Sequence, residues 1–131
     1  MKFEKLQKFD TEVYAAVMWE EKRIQTWINL IPSENYTHPD VLETLWCVLT
    51  DKYAEWYPWR RYYWWNPYAD AVESLAISRA KEIFRAEHAN VQPLSGSPMN
   101  IAVYFGLLNP WDTVLAMDLS HGWHLTHWAP V

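Results

Sequence analysis

Glycine is scarce in this chain and tryptophan is abundant, which constrains the turns that its backbone can make. The 131 residues include three glycines and ten tryptophans, whereas glycine is ordinarily about 7% of a protein. Glycine is the residue best suited to turns that require a positive φ angle. The sequence Asn109-Pro110-Trp111-Asp112 has the form of such a turn, with tryptophan at the third position. We therefore expect backbone strain at Trp111.

Composition restricts the class of protein. Half of the residues are apolar and the net charge is -5, so the chain should fold, and it lacks the basic face that a nucleic-acid partner requires. It contains no apolar run of about 18 residues that could cross a membrane, and its charged start does not resemble a signal peptide. The one cysteine, Cys47, cannot form an internal disulfide. We expect a soluble, cytoplasmic protein.

Helical segments alternate with short apolar segments along the chain. Four helices are predicted: residues 8–27, a helix beginning at Pro39, residues 67–84, and a helix that follows Ser97 and is buried over residues 101–108. Proline at a first helical position marks three of these starts, and a cap residue, Asn66 or Ser97, precedes the proline in two of them. Residues 53–65 have no regular period and are predicted to form an aromatic loop.

Two short apolar segments, residues 90–92 and 113–117, are predicted to be strands. Strands that alternate with helices favour an α/β fold with a mostly parallel sheet. We divide the chain into a helical arm with an active-site loop, residues 1–65, and the start of a larger α/β domain, residues 66–131. The pattern breaks off after a loop, so we expect the sequence to be incomplete.

The strongest local motif is Ser95-Gly96-Ser97, where an apolar segment enters a helix. Free backbone N–H groups at a helix start, together with two hydroxyl groups, form a cradle for an anion such as phosphate. An ordinary serine cap is the simpler interpretation of the tripeptide taken alone. Both interpretations remain open at this point.

Three histidines, His121, His124 and His127, recur at a spacing of three residues. This spacing suggests zinc, but on a helix such positions drift around the surface, Gly122 favours a loop, and the motif contains no further ligand. We therefore predict no metal site. The alternatives are an imidazole stacked on a flat cofactor ring and a pair of hydrogen-bonded loop histidines.

The aromatic loop contains Tyr53, Glu55 and the run Arg60-Arg61-Tyr62-Tyr63. A carboxylate among aromatic groups is expected to be partly desolvated, which would raise its pKa toward a range useful for proton transfer. The arginines and tyrosines could hold a phosphate or carboxylate. A solvated charged loop is the alternative.

Taken in order, five segments resemble the signatures of serine hydroxymethyltransferases. The resembling segments are Ile28–Tyr36 (INLIPSENY), Leu49–Glu55 (LTDKYAE) with Tyr57-Pro58 and Arg61–Tyr63, Ala89–Pro93 (ANVQP) with Ser95–Ser97, Leu119–Gly122 (LSHG) and His124–His127 (HLTH). The resemblance runs through nearly the whole chain from about residue 10.

The resemblance implies a fold of the aspartate-aminotransferase type, called fold type I of the pyridoxal-phosphate enzymes, here incomplete. It also implies the reversible conversion of serine and tetrahydrofolate to glycine and 5,10-methylenetetrahydrofolate by a cytosolic homodimer whose subunits share active sites. Pyridoxal 5'-phosphate is the implied cofactor and tetrahydrofolate the co-substrate. The lysine that binds the cofactor lies downstream in the family, so we expect the 131-residue chain alone to be inactive.

The matching motifs imply roles for individual residues. The implied cofactor-binding residues are Ser95, Gly96 and Ser97 at the phosphate, His124 stacked on the ring, and Tyr53. The implied catalytic residues are Glu55, His124 and His127. The implied substrate-binding residues are Ser33, Glu55 and Tyr63. The implied folate-binding residues are Leu119, Trp123, His124 and Leu125. The resemblance has Tyr53, Glu55 and Tyr63 reach into the partner subunit's site.

Eight tryptophans stand where this family has glycine: Trp46, Trp56, Trp59, Trp64, Trp65, Trp111, Trp123 and Trp128. Trp19, Trp27 and Arg85 occupy further positions of this kind. We favour a decoding origin, in which a genome that reads UGA as glycine is translated under a code that reads UGA as tryptophan. That origin does not explain Arg85. A degenerate pseudoenzyme and a non-catalytic Trp-rich binding module are the alternatives.

Overall fold

The computed structural model describes residues 3–127, which form two compact units that divide between Thr50 and Asp51. The helices are α1 (Glu4–Phe9), α2 (Thr11–Thr26), α3 (Pro39–Leu45), α4 (Pro67–Phe84) and α5 (Gly96–Leu107). Short 3₁₀ turns cover Val48–Asp51, Leu119–His121 and Leu125–His127, and a hairpin pairs β1 (Trp56–Tyr57) with β2 (Arg60–Arg61).

The first unit is helical. The single helix predicted over residues 8–27 is instead two helices that meet at Asp10, whose φ of -146° lies outside helical geometry. Its Oδ1 atom accepts a hydrogen bond from the Val13 N–H at 3.0 Å. Aspartate at this position competes with a continuous helix by capping a new one. The start of α3 at Pro39 is confirmed.

The second unit begins with the aromatic loop, which contains a two-residue antiparallel hairpin in which Trp56 pairs with Arg61. The next helix, α4, begins at Pro67 and ends at Phe84 as predicted. Asn66 does not cap it through a side-chain hydrogen bond, and its Nδ2 atom donates to the Tyr63 carbonyl at 2.6 Å instead. The aromatic loop is thereby tied to the start of α4.

The two segments predicted to be strands are not strands, since among the described residues only the hairpin has strand geometry. At the first segment, the Asn90 Oδ1 atom accepts from the Gln92 N–H at 3.0 Å, a local bond that competes with strand pairing. In the second segment Leu115 is almost fully exposed. Apolar segments become strands only beside a partner strand, and residues 3–127 provide none for these two.

No apolar side chain among residues 3–127 is buried. The predicted burial of residues 101–108 is therefore wrong, since Phe105 is 85% exposed and Leu107 is 77% exposed. The prediction assumed that a sheet would cover α5, whereas the described part of the chain forms no such layer. Among the same residues, no helix is both long and apolar enough to pass through a bilayer.

Within residues 3–127, four residues other than glycine have positive φ angles: Trp56 (75°), Trp59 (64°), Arg85 (51°) and Trp111 (77°). All four stand at positions where the resemblance expects glycine. The predicted turn at Trp111 is confirmed, because the Asp112 N–H donates to the Asn109 carbonyl at 3.1 Å. A residue other than glycine held in such a conformation costs on the order of 1–3 kcal/mol. The backbone at these positions therefore favours glycine.

Two other tryptophans at family glycine positions have ordinary backbone conformations. Trp27 and Trp46 have φ angles of -107° and -94°, which any residue adopts. Trp128 lies outside the described residues.

Candidate functional site

Arg61 is the centre of a buried polar network in the second unit. Its side chain is 2% exposed and forms ion pairs with Asp70 at 2.8 Å and Glu73 at 2.6 Å. The other oxygen of Asp70 accepts from the Trp59 N–H at 3.2 Å. Burial opposes the charge of Arg61, but its hydrogen bonds to both carboxylates raise its pKa above the ordinary value. Arg61 is therefore firmly cationic and paired within the chain.

This pairing corrects one expectation. The sequence suggested that the arginines of the loop could hold a ligand phosphate or carboxylate, but Arg61 is saturated by Asp70 and Glu73. Helical spacing could have revealed these partners, since both acids follow the Asn66-Pro67 helix start and lie three residues apart on one face of α4.

The network also fixes the backbone on both sides of Glu55. Arg61 Nη1 donates to the Ala54 carbonyl at 2.8 Å and to the Trp56 carbonyl. The carbonyl of Glu55 itself accepts from the Tyr62 N–H at 3.3 Å. Three consecutive carbonyl groups are thus engaged, so the main chain that carries Glu55 is held in one conformation.

The side chain of Glu55 accepts a hydrogen bond from the Tyr53 hydroxyl. This bond, together with desolvation and the negative charge of Glu55, raises the pKa of Tyr53 to about 12. The ring of Tyr63 meets that of Tyr53 edge-on at 5.1 Å between centroids. The structure thus brings Tyr53, Glu55 and Tyr63 together. Glu55 is exposed rather than desolvated as predicted, because these rings lie beside its carboxylate without covering it.

The Ser95-Gly96-Ser97 motif opens α5, but the helix begins at Gly96 rather than after Ser97 as predicted. Ser95 is the N-cap residue, in extended geometry, and its hydroxyl makes no capping hydrogen bond. A 12-residue helix therefore begins with no hydroxyl of the motif capping it. Gly96 has no neighbouring atom within 4 Å of where a Cβ would lie, so the approach to this end of the helix is open. Two hydroxyl groups and backbone N–H groups are a donor set that fits a phosphate.

His124 is oriented by Thr126. Its Nδ1 atom accepts from the Thr126 backbone N–H at 3.2 Å and lies 2.8 Å from the Thr126 hydroxyl. The Asn100 amide donates to the same hydroxyl at 2.6 Å, so the hydroxyl hydrogen is directed to His124. The ring is exposed and can face a ligand.

His127 lies against α5. Its Nδ1 atom is 2.6 Å from the Tyr104 hydroxyl, and its Nε2 atom is 3.2 Å from the amide nitrogen of Asn100. The centroid of the Trp123 ring lies 5.0 Å from that of the His127 imidazole. Asn100 and Tyr104 were missed in the sequence, although their spacing of four residues places both on one face of α5. These bonds anchor the turn Leu125–His127 to the helix.

The other expected site residues are more dispersed. Leu119 and Leu125 are exposed, and the buried Nε1 atom of Trp123 has no hydrogen-bond partner. Asp118 caps Ser120, and the hydrogen bonds that it accepts lower its pKa. Ser33 is exposed in the first unit, in a turn closed by the Glu34 N–H and the Ile31 carbonyl at 3.1 Å.

His121 ends the turn Leu119–His121 and is exposed, while His127 faces α5. Across residues 3–127 there is no group of three or more histidine, cysteine, aspartate or glutamate side chains that could share a metal ion.

The chain is similar to known proteins over nearly its whole length. A family model described as serine hydroxymethyltransferase matches residues 6–131. A serine hydroxymethyltransferase of Methylococcus capsulatus is 58% identical over 123 residues, which are 94% of this chain and 29% of that protein. Those of Vesicomyosocius okutanii and Coxiella burnetii are 56% and 55% identical over 98% and 96% of this chain. The chain spans about 30% of the length of these curated relatives.

Proposed function

Because this chain belongs to the serine hydroxymethyltransferase family, we propose that it supplies the N-terminal part of a pyridoxal-phosphate enzyme of fold type I. The reaction is the reversible conversion of serine and tetrahydrofolate to glycine and 5,10-methylenetetrahydrofolate. The activity belongs to the whole protein, of which the relatives indicate that these residues are about 30%. The 131 residues alone are proposed to be inactive. The observation that carries the proposal is the uncapped start of α5 at Ser95–Ser97.

The first role concerns the cofactor. Ser95, Gly96 and Ser97 would hold its phosphate through hydroxyl and backbone donors at the positive end of the α5 dipole. His124, which is exposed and oriented by Thr126, would lie against its ring. When bound, pyridoxal phosphate supplies an electron sink for bond cleavage at the amino-acid α-carbon.

The second role is proton transfer. Tyr53 keeps its proton at neutral pH because its pKa is about 12. The Tyr53 hydroxyl donates this proton in a hydrogen bond to the Oε2 atom of Glu55. The Oε1 atom of Glu55 is left to accept a proton from the substrate hydroxyl. Tyr63 supports the pair through its ring contact with Tyr53. Geometry of this kind typically contributes about 10²–10⁴-fold to a rate.

The remaining contacts are assigned by family membership. Ser33 and Tyr63 would bind serine, and Leu119, Trp123 and Leu125 would line the folate site with His124. His127 would hold the His124 turn against α5 and act as a further active-site group. We propose a cytoplasmic homodimer in which Tyr53, Glu55 and Tyr63 serve the partner subunit's site, with no role in binding nucleic acid.

The test uses the whole protein. Cofactor binding is measured by absorbance and fluorescence, and turnover of serine with tetrahydrofolate by the folate product. The double variant Ser95→Ala/Ser97→Ala should weaken cofactor binding at least about tenfold, since two hydrogen bonds to a charged group are lost. The matched control is Ser78→Ala, an exposed serine on α4. If the whole protein bound no pyridoxal phosphate, or if both variants behaved alike, the proposal would be wrong.

A second candidate function is a non-catalytic Trp-rich binding module or pseudoenzyme. Trp59, Trp64 and Trp65 line a cavity of 280 Å³ beside Arg61 and Asp70, and exposed indoles can bind sugars or interfaces. Mass spectrometry of the native protein discriminates between the two. Tryptophan found at positions 64 and 65 would favour the binding module, and glycine there would favour the enzyme.

A further inference from the structure

Gln92 connects two segments that the proposed function uses separately. Its Nε2 atom donates to the Trp56 carbonyl at 2.9 Å and to Glu73 Oε1 at 2.7 Å. Trp56 follows Glu55 in the chain, and Gln92 precedes the Ser95 turn by three residues. One side-chain amide therefore joins the segment that carries the proposed proton-transfer group to the segment that enters the proposed phosphate cradle.

Glu73 makes this connection part of a closed network. Its Oε1 atom accepts from Gln92, and its Oε2 atom accepts from Arg61 at 2.6 Å. Arg61 in turn donates to the carbonyls on both sides of Glu55. The Trp56 carbonyl receives donors from Arg61 and Gln92 together. Both carboxylate oxygens of Glu73 and all three guanidinium nitrogens of Arg61 are hydrogen-bonded, which favours one rigid arrangement.

None of these three side chains is needed to contact substrate or cofactor in the proposed reaction. Arg61 and Glu73 are largely buried, with side chains 2% and 15% exposed. Besides their mutual ion pair, Arg61 bonds to Asp70 and to the carbonyls of Ala54 and Trp56, and Glu73 bonds to Gln92. The network therefore acts on the main chain that carries Glu55, through the carbonyl groups on either side of it.

We propose that Arg61, Glu73 and Gln92 are positioning residues, which hold the main chain on both sides of Glu55 and so set the position from which its carboxylate is presented. This inference rests on the proposed role of Glu55 in proton transfer. A catalytic group displaced by about 1 Å can lose on the order of a hundredfold in rate, so a network that fixes its backbone should be visible in kcat. Stability alone would not reveal it.

The experiment is a double-mutant cycle in the whole protein, loaded with cofactor. Gln92→Met keeps the length of the side chain and removes both donors. We expect kcat for serine to fall about tenfold while KM changes little. In the Glu55→Gln background, the same substitution should lower kcat by less than twofold, because the group that it positions has already been neutralised.

Two further variants complete the design. Glu73→Gln keeps the shape and one acceptor, so it should show the same dependence on Glu55 with a smaller loss, and it serves if Gln92→Met does not fold. Gln7→Met is the matched control, an exposed glutamine on α1, and should leave kcat unchanged in both backgrounds. Equal losses from Gln92→Met or Glu73→Gln with and without Glu55→Gln would overturn the inference. Absence of serine turnover in the unmodified protein would instead contradict the proposed function.

Discussion

The hairpin with α4 and the helix α5 are adjacent parts of the same unit, and they are stabilised in opposite ways. In the first region Arg61 is almost fully buried among carboxylates and carbonyl groups. In the second region Phe105 and Leu107 of an almost wholly apolar helix are exposed. The comparison teaches that the described residues supply partners for the buried charge of Arg61 but no layer that covers the apolar side chains of α5.

The reason lies in what each kind of interaction requires. Arg61 finds Asp70 and Glu73 within 12 residues along the chain, so a short segment suffices to satisfy it. An apolar helix face requires a second layer of structure, usually a sheet. The polar arrangement near Glu55 therefore forms within residues 3–127, whereas α5 depends on a layer that they do not provide.

The largest expected effect comes from Arg61→Met. Removing the cation leaves Asp70 and Glu73 as buried charges without their partner, which costs on the order of 3–5 kcal/mol. The free energy of unfolding of the whole protein, measured with urea, should fall by that amount. Arg23→Met is the control, because the Arg23–Glu20 pair is exposed and surface pairs contribute little. Equal losses in the two variants would contradict the contrast between buried and exposed pairs.

Glycine substitutions come next in size. Trp59→Gly should raise the free energy of unfolding by about 1–3 kcal/mol, because its φ of 64° penalises any side chain with a Cβ. The Trp59 N–H that donates to Asp70 is retained. Trp27→Gly is the control, since a φ of -107° carries no such penalty and the added freedom of the unfolded chain is destabilising. Stabilisation of both variants, or of neither, would refute this reading of the backbone.

Sequence reasoning succeeded where the signal was local. Pro39 and Pro67 marked helix starts, and Asn109-Pro110 marked a turn with positive φ at Trp111. The same proline-tryptophan pair occurs at Pro58-Trp59, where φ is also positive. Local reasoning failed for residues 90–92, 113–117 and 101–108, because strand pairing and helix burial depend on distant partners.

The candidate site shows the same difference between local signals and distant contacts. The resemblance named Tyr53, Glu55 and Tyr63, and the structure brings them together. It did not name the residues that hold them in place, which are Arg61, Asp70, Glu73 and Gln92. Contacts between a loop and a helix face depend on how the chain folds back, and motif spacing alone does not encode this.

A smaller effect is expected on the α5 side of the comparison. Tyr104→Phe removes the hydroxyl that lies 2.6 Å from His127 Nδ1. The free energy of unfolding should fall by about 0.5–1.5 kcal/mol. The NMR signals of the His127 ring should also shift, because its Nδ1 atom loses this hydrogen-bond partner. Tyr68→Phe is the control, because Tyr68 is 79% exposed on α4. An unchanged His127 spectrum in Tyr104→Phe would contradict the assigned hydrogen bond.

The smallest effect on stability should come from Tyr53, whose side chain is 47% exposed. Its pKa is raised from 10.0 to about 12 in the folded protein, so the folded state prefers the protonated phenol. The resulting stabilisation is complete below pH 10 and is lost as the pH rises from 10 through 12. The ultraviolet difference between the protein and Tyr53→Phe should therefore titrate near pH 12. In the Glu55→Gln background this midpoint should move toward 10, because the principal cause of the shift is the bond to Glu55. A midpoint that does not respond to Glu55→Gln would mean that Tyr53 and Glu55 are not paired. The hairpin and α4 would then fix the backbone of Glu55 but not its side chain.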